Sequence, residues 1–225
     1  MILLGAFVNL FAVIVGALVG MAAGKFLNER VHSTIISAIG LVTIGIAVPG
    51  LLGSHKPLVP ILSMVLGTLA GELLDIDGLV TCFGNKLQTK MHSLGTFTDS
   101  FVTGSLIFAV GAMSIMGALD SGLHNDHTVL LAKSVLDGVS AVIFASTMGI
   151  GVAFSGIVVF LWEGGIALLA SVFAPLLSAA VMAEITFVGS LLILGISFNV
   201  LGITKLRLLN MIPAMFFPIL LCQFL

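Results

Sequence analysis

Lys133, Asp137, Glu163 and Glu184 are ionisable residues that lie within or beside long apolar runs. An ionised side chain at the centre of a membrane helix costs about 2.5–3.5 kcal/mol on insertion scales, so such residues usually have a partner or a watery cavity. Lys133 and Asp137 are four apart and share one helix face, which Ser140 extends by a turn. Lys preceding Asp is the less favourable order for an i,i+4 pair, which leaves either residue available to another helix. Two readings stand: a buried ion pair that fixes packing, or the charged lining of a pathway.

Glu163 follows Trp162 and precedes Gly164 and Gly165. Paired glycines weaken a helix, and a carboxylate beside a helix break is how transporters build ion and substrate sites. The alternative is that the glycines only admit a neighbouring helix, with Glu163 neutral and hydrogen-bonded. Asp137, one turn from Lys133, is expected to stay ionised, which makes Glu163 the proton carrier. Glu184 enters its segment at a depth similar to that of Lys133 and is expected to pair with it. Asn9, inside the first apolar run, is placed to donate interhelical hydrogen bonds, as packing glue or as a ligand.

Other chemistry has less support. His124 and His127 crowd one loop with Asp120 and Asp126, but loop histidines beside a helix start are usually solvated, so no metal site is assigned. His32, His55 and His92 are scattered, and Asp99 reads as a helix N-terminal acid. The chain has no GxSxG, HExxH or P-loop motif and no tyrosine. Ser134 with Asp137 is the best nucleophile–base pair, and one such pair among many serines does not make an active site. The chain is therefore expected not to be an enzyme and to need no cofactor.

These residues have to be positioned by apolar helices. Hydrophobic residues make up 59% of the 225 and charged residues 8%, with a mean hydropathy of +1.29, which is too apolar for a soluble domain. The net charge of −2 and the absence of a basic run exclude a nucleic-acid partner. Cys82 and Cys222, far apart and without CxxC spacing, are expected to be free thiols.

Cutting at polar and Pro/Gly punctuation gives eight apolar segments: 2 to 24, 33 to 53, 57 to 74, 99 to 119, 128 to 149, 151 to 173, 179 to 200 and 210 to 225. The last is short and holds Pro213 and Pro218, so it either spans or re-enters. Between the third and fourth, Phe83, Leu87 and Met91 recur every four residues among Asn85, Lys86, Gln88, Thr89 and Lys90. That spacing predicts an amphipathic helix lying in the interface. No basic residue precedes the first run and Lys25 follows it, the reverse of a signal peptide, so a retained first helix is expected.

Starting from an outside N-terminus, the cytoplasmic gaps hold Lys25, Arg30, Lys86, Lys90, Lys205 and Arg207, while the opposite gaps hold only Lys56. The positive-inside rule then predicts both termini outside. The fold class expected is an all-α integral membrane protein of about eight transmembrane helices plus one interfacial amphipathic helix, forming a single polytopic domain over 1–225.

Glycines at small-residue spacing, Gly16, Gly20 and Gly24, Gly67 and Gly71, and Gly104, Gly111 and Ala118, predict close helix packing within the chain or a homo-oligomer seam. Shifting the chain by 150 positions matches Leu41, Gly45, Ile46, Leu51 and Leu58 to Leu191, Gly195, Ile196, Leu201 and Leu208. This leaves open an inverted repeat of halves 1–75 and 151–225 around a central region 76–150.

Several stretches carry a resemblance: Gly5 through Gly20 with Asn9 inside, SLIFAVGAMSIMGALDSGL ending at Leu123, LLAKSVLDGVSAVIFASTMGIGVAFSG ending at Gly156, and TFVGSLLILGISFNVLGITKLRLLNMIPA ending at Ala214. Together they resemble the YqgA/YdfK-like bacterial membrane proteins of the domain of unknown function 554 family. The resemblance implies a multi-spanning protein of the bacterial inner membrane and supplies no substrate or catalytic residue.

The function expected from the residues is transport of a small solute, cation or proton through a cavity lined by the fifth, sixth and seventh segments. Asp137 and Glu163 would bind, with Lys133 as counter-charge. The alternative is a structural or regulatory membrane subunit whose charges serve packing.

Overall fold

A computed structural model describes residues 1–26, 28–54, 56–79, 82, 97–109 and 112–224. The expected interfacial helix around Phe83 to Met91 lies outside the described residues, as do Gly111, His55 and His92. Among the described residues the protein is helical with no strand: α1 (Leu4–Gly24), α2 (Glu29–Leu51), α3 (Leu58–Leu74), α4 (Phe97–Ala109), α5 (Ala112–Leu123), α6 (Thr128–Met148), α7 (Gly151–Leu168), α8 (Ala170–Phe173), α9 (Ala179–Val200), α10 (Leu208–Met211), a 3₁₀ turn (Ile212–Met215) and α11 (Phe217–Leu221).

Among the described residues, five helices are long and apolar enough to cross a membrane: Leu4–Gly24, Ser33–Leu51, Thr128–Met148, Gly151–Leu168 and Ala179–Val200. α4 and α5 make a sixth crossing if the bent pair is one span, with a 61° change of direction between them. Leu58–Leu74 and Leu208–Leu221 are shorter apolar helical stretches. At 1.5 Å per residue the 17 residues of α3 reach about 25 Å, and α1, with 21, reaches about 31 Å. These elements account for each of the eight apolar segments read from the sequence, while the count of full crossings they support is five to six.

The chain divides into two compact units, Met1–Ile36 with Gly84–Ala174 and Ser37–Phe83 with Pro175–Leu225. The units cut across the blocks 1–75, 76–150 and 151–225.

The first unit is organised by glycine. A Cβ on Gly16, Gly20 or Gly24 would fall 2.2 Å from the carbonyl oxygen of Gly138, Val142 or Ser146, respectively. The numbers rise together, so α1 and α6 run parallel with backbones touching once per turn. α7 runs antiparallel to α1: Gly156 lies against Val13 and Gly164 against Leu3, and the rings of Phe7 and Phe160 are 4.7 Å apart.

α4 and α5 both follow α7 in one direction. Gly104 lies against Ser155, Ser114 bonds Glu163, and Gly122 lies against Ala167. That progression covers about 18 Å of α7 and makes the bent pair one broken span, since a re-entrant hairpin would double back. Large side chains such as Val135 and Leu161 remain about two-thirds exposed (67% and 65%) on the outer faces, as expected of surface turned to lipid rather than water.

Because α1 meets α6 through backbone carbonyls, which cannot rotate away, Gly20→Ala should destabilise by about 1–3 kcal/mol through overpacking. Gly45 and Gly165 have nothing within 4 Å of an added Cβ, so Gly45→Ala and Gly165→Ala should not lower the thermal unfolding midpoint of the purified protein and should gain up to about 1 kcal/mol of helix stability. Equal melting of all three variants would remove the packing role.

The start of α6 is set by Asp126, whose Oδ1 accepts from the Thr128 N–H at 2.9 Å and its hydroxyl at 2.7 Å. The Thr128 N–H, and then its hydroxyl, hold this exposed carboxyl below the ordinary carboxylate range. A depressed carboxylate contributes its stability above its unfolded-state value and loses it only as pH falls through the folded one. The contribution of Asp126 is therefore constant near neutral pH.

In the second unit, α3 runs antiparallel to the stretch 208–221, with Gly71 against Asn210 and Gly67 against Ala214. Pro213 and Pro218 sit in the first positions of the 3₁₀ turn and of α11, where a missing N–H is tolerated, and they break what would otherwise be one helix. α9 starts at Ser178, whose hydroxyl accepts from the Val181 N–H. After α9 the chain turns through Gly202 at φ +71°, where glycine carries no Cβ penalty, and Asn199 pins the turn through Thr204 and both backbone groups of Leu206.

Candidate functional site

Four helical elements of the first unit bring polar groups to one point. α6 supplies Lys133 and Asp137 one turn apart, α7 supplies Glu163, and α1 supplies Asn9. The broken span supplies the Phe108 carbonyl from the end of α4 and Ser114 from the start of α5. Asn9, Ser114 and Glu163 are fully buried, and Lys133 and Asp137 are 6% and 8% exposed.

Lys133 Nζ donates to Asp137 Oδ2 and to the Phe108 carbonyl at 2.7 Å, and it forms an ion pair with Glu163 Oε1 at 3.2 Å. An ammonium has three N–H donors; here two are used in hydrogen bonds, and the charge is shared between two carboxylates. Asn9 Nδ2 donates to Asp137 Oδ2 at 3.0 Å and to both oxygens of Glu163 at 3.1 Å. Ser114 Oγ donates to Glu163 Oε1 at 2.9 Å. Asn9 Oδ1 is buried and has no hydrogen-bond partner. The amide is oriented by its network: with its ends exchanged, its oxygen would face two carboxylates.

The broken span complements this charge. The end of a helix carries partial negative charge and the start partial positive charge. Lys133 caps the end of α4 at Phe108, and Glu163 lies at the first turn of α5 through Ser114. With Lys133, Asp137 and Glu163 all ionised, the group carries a formal charge of −1. No other Asp, Glu, Lys or Arg makes a salt bridge or side-chain hydrogen bond to it among the described residues.

Several expectations change. Lys133 touches both carboxylates, so Asp137 is not the sole partner that keeps it paired. The helix break sits not at Gly164 and Gly165, through which α7 runs continuously, but in the neighbouring α4–α5 span. Gly164 admits Leu3 at the start of α1. Glu184 belongs to the second unit, where it accepts from the Ser54 hydroxyl at 2.8 Å and the Lys56 N–H at 3.0 Å. It thereby ties α9 to the turn before α3, in place of the expected bond to Lys133.

The fifth and sixth segments, α6 and α7, thus surround the acids as expected, but α1 and α4–α5 join them in place of the seventh. Ser134 donates to the Leu130 carbonyl of its own helix and is not aligned on Asp137. Ser114 and the Phe108 carbonyl were not singled out from the sequence. Gly111, between them in the middle of an apolar run, was the available signal.

His124 and Asp120 form an exposed pair at 3.4 Å, and no group of three or more metal-ligating side chains occurs among the described residues. Cys82 and Cys222 are free.

The chain is 30% identical over 218 residues to the "Uncharacterized membrane protein YdfK" of Bacillus subtilis (strain 168), covering 95% of this chain and 93% of that one. It is 29% identical over 218 residues to the "Uncharacterized protein YqgA" of Escherichia coli (strain K12), covering 94% and 93%. No solved structure matches. Residues 4–223 match the model of the family described as "Protein of unknown function (DUF554)", and the chain belongs to that family.

Proposed function

We propose that this protein moves a small solute or ion across the bacterial inner membrane, with the Asn9, Lys133, Asp137 and Glu163 group as its ion- or proton-binding site. The observation that carries the reading is the burial of three ionisable side chains at the break of a span. Simple packing does not need that arrangement, whereas discontinuous helices are a transporter habit. The topology that goes with it has both termini outside and eight crossings, with Lys86 and Lys90 facing the cytoplasm. It rests on the six-to-one basic asymmetry. On that topology Asn9 lies five residues into α1, about 8 Å from its outer end.

A second reading has its own observation: Lys133 is held by one carbonyl and two carboxylates, as in a static structural element of a membrane subunit. One experiment separates the two. In a Cys82→Ser, Cys222→Ser background, Glu163→Cys should react with a small water-soluble thiol reagent, and purified protein in liposomes should support solute-dependent or ion-dependent flux. An inert cysteine together with no flux would favour the structural subunit.

A further inference from the structure

We propose that the group formed by Asn9, Ser114, Lys133, Asp137 and Glu163 holds one monovalent cation, for which Na⁺ and a proton compete. The inference rests on reading the group as an ion site and does not require that the ion be transported.

Two independent observations lead there. The first is charge: one ammonium against two carboxylates leaves −1 in a buried place, and an uncompensated buried charge is costly. The groups facing it from each element are Asn9 of α1, the Phe108 carbonyl of α4, Ser114 of α5, Lys133 and Asp137 of α6 and Glu163 of α7. None but Lys133 is cationic. A single positive charge restores neutrality, and a divalent ion would overshoot it.

The second is the orphaned oxygen. Asn9 Oδ1 is an acceptor with no partner in a residue that is 0% exposed, and it lies on the same small amide whose nitrogen touches both acids. With Na⁺ bound, that oxygen becomes a ligand beside carboxylate oxygens, a hard all-oxygen donor set of the kind that hard cations take. With a proton bound instead, one carboxyl becomes an O–H donor while its other oxygen still accepts from the Asn9 amide. Of the two occupants, Na⁺ is the one that gives Oδ1 a partner.

The chain carries its own reporter, because Trp162 is the only tryptophan and there is no tyrosine, and Trp162 adjoins Glu163. In purified protein, NaCl should change Trp162 emission saturably, while choline chloride at the same ionic strength should not. The apparent Kd for Na⁺ should rise by up to about tenfold per pH unit on the acid side, as one-for-one competition with a proton requires. Glu163→Gln and Asp137→Asn, each neutral without a cation, should abolish the Na⁺ response. Asn9→Ala should weaken it at least tenfold while a pH response persists.

An identical response to choline, a Na⁺ midpoint that does not move between about pH 6 and pH 8, or wild-type Na⁺ binding in Glu163→Gln would each overturn the proposal. Should the variants not fold, the wild-type titrations with the two salts at two pH values decide it alone. Na⁺ binding without flux in liposomes would refute transport and keep this site; flux with Trp162 indifferent to Na⁺ would do the reverse.

Discussion

Lys133→Met is expected to be the most damaging single substitution in the group, lowering stability by about 3–5 kcal/mol, the usual cost of removing one partner from a buried ion pair. The variant keeps the apolar stem and removes the ammonium. It leaves Asp137 and Glu163 as two buried acids that share the Asn9 amide and no cation, at a formal charge of −2. For a chain of this size the loss corresponds to at least about 6 °C in the unfolding midpoint.

The rescue is specific. Lys133→Met combined with Glu163→Gln returns the formal charge to −1, so the double variant should melt above Lys133→Met alone, although it carries one more change. A Lys133→Met protein that melts within about 2 °C of the parent would mean that Lys133 does not hold the acids together, as would a double variant less stable than the single one.

Asp137→Asn and Glu163→Gln should each be nearly neutral for stability, while together they should be strongly destabilising. Each single change takes the group from −1 to 0 and leaves Lys133 one carboxylate. The double change strands the ammonium at +1, with only the Phe108 carbonyl and neutral amides for company. The expected coupling is about 0.5–3 kcal/mol beyond the sum of the singles, read from a thermal-unfolding double-mutant cycle.

Sequence reasoning alone points elsewhere: to Asp137→Asn as the variant that strands Lys133 and Glu163→Gln as the benign one. The 3.2 Å ion pair between Lys133 and Glu163 removes that asymmetry. If the group is a transport site, both single variants should also lose ion-coupled flux by more than about tenfold, equivalent to 1.4 kcal/mol. Additive stabilities would show that the two acids are held independently, and wild-type flux in both variants would leave the packing role alone.

The membrane class, the helical segments and the key polar residues were determined by the sequence itself, for a local physical reason. Insertion into lipid requires long apolar runs whose backbone bonds close internally, so segmentation is written in composition. An Asn, Lys, Asp or Glu inside such a run is costly enough to be conspicuous wherever the helix ends up. That is why Asn9, Lys133, Asp137 and Glu163 stood out, and why the i,i+4 relation of Lys133 to Asp137 could be read directly: it needs only the helix.

Tertiary structure alone decided which polar residues meet. In lipid, apolarity does not select one helix neighbour over another, since acyl chains are as apolar as leucine. The neighbours are chosen by close backbone fit, as where Gly16, Gly20 and Gly24 take the carbonyls of Gly138, Val142 and Ser146. Hydropathy carries no trace of that register. It sets Asn9 beside acids 128 and 154 positions away and draws Glu163 onto Lys133. The break between α4 and α5, and with it Phe108 and Ser114, was hidden inside a run that reads as one apolar span. The same logic separates Glu184, which has the same chemistry as Glu163 and as deep a burial. Glu184 ties α9 to Ser54 and Lys56 because its helix packs in the other unit.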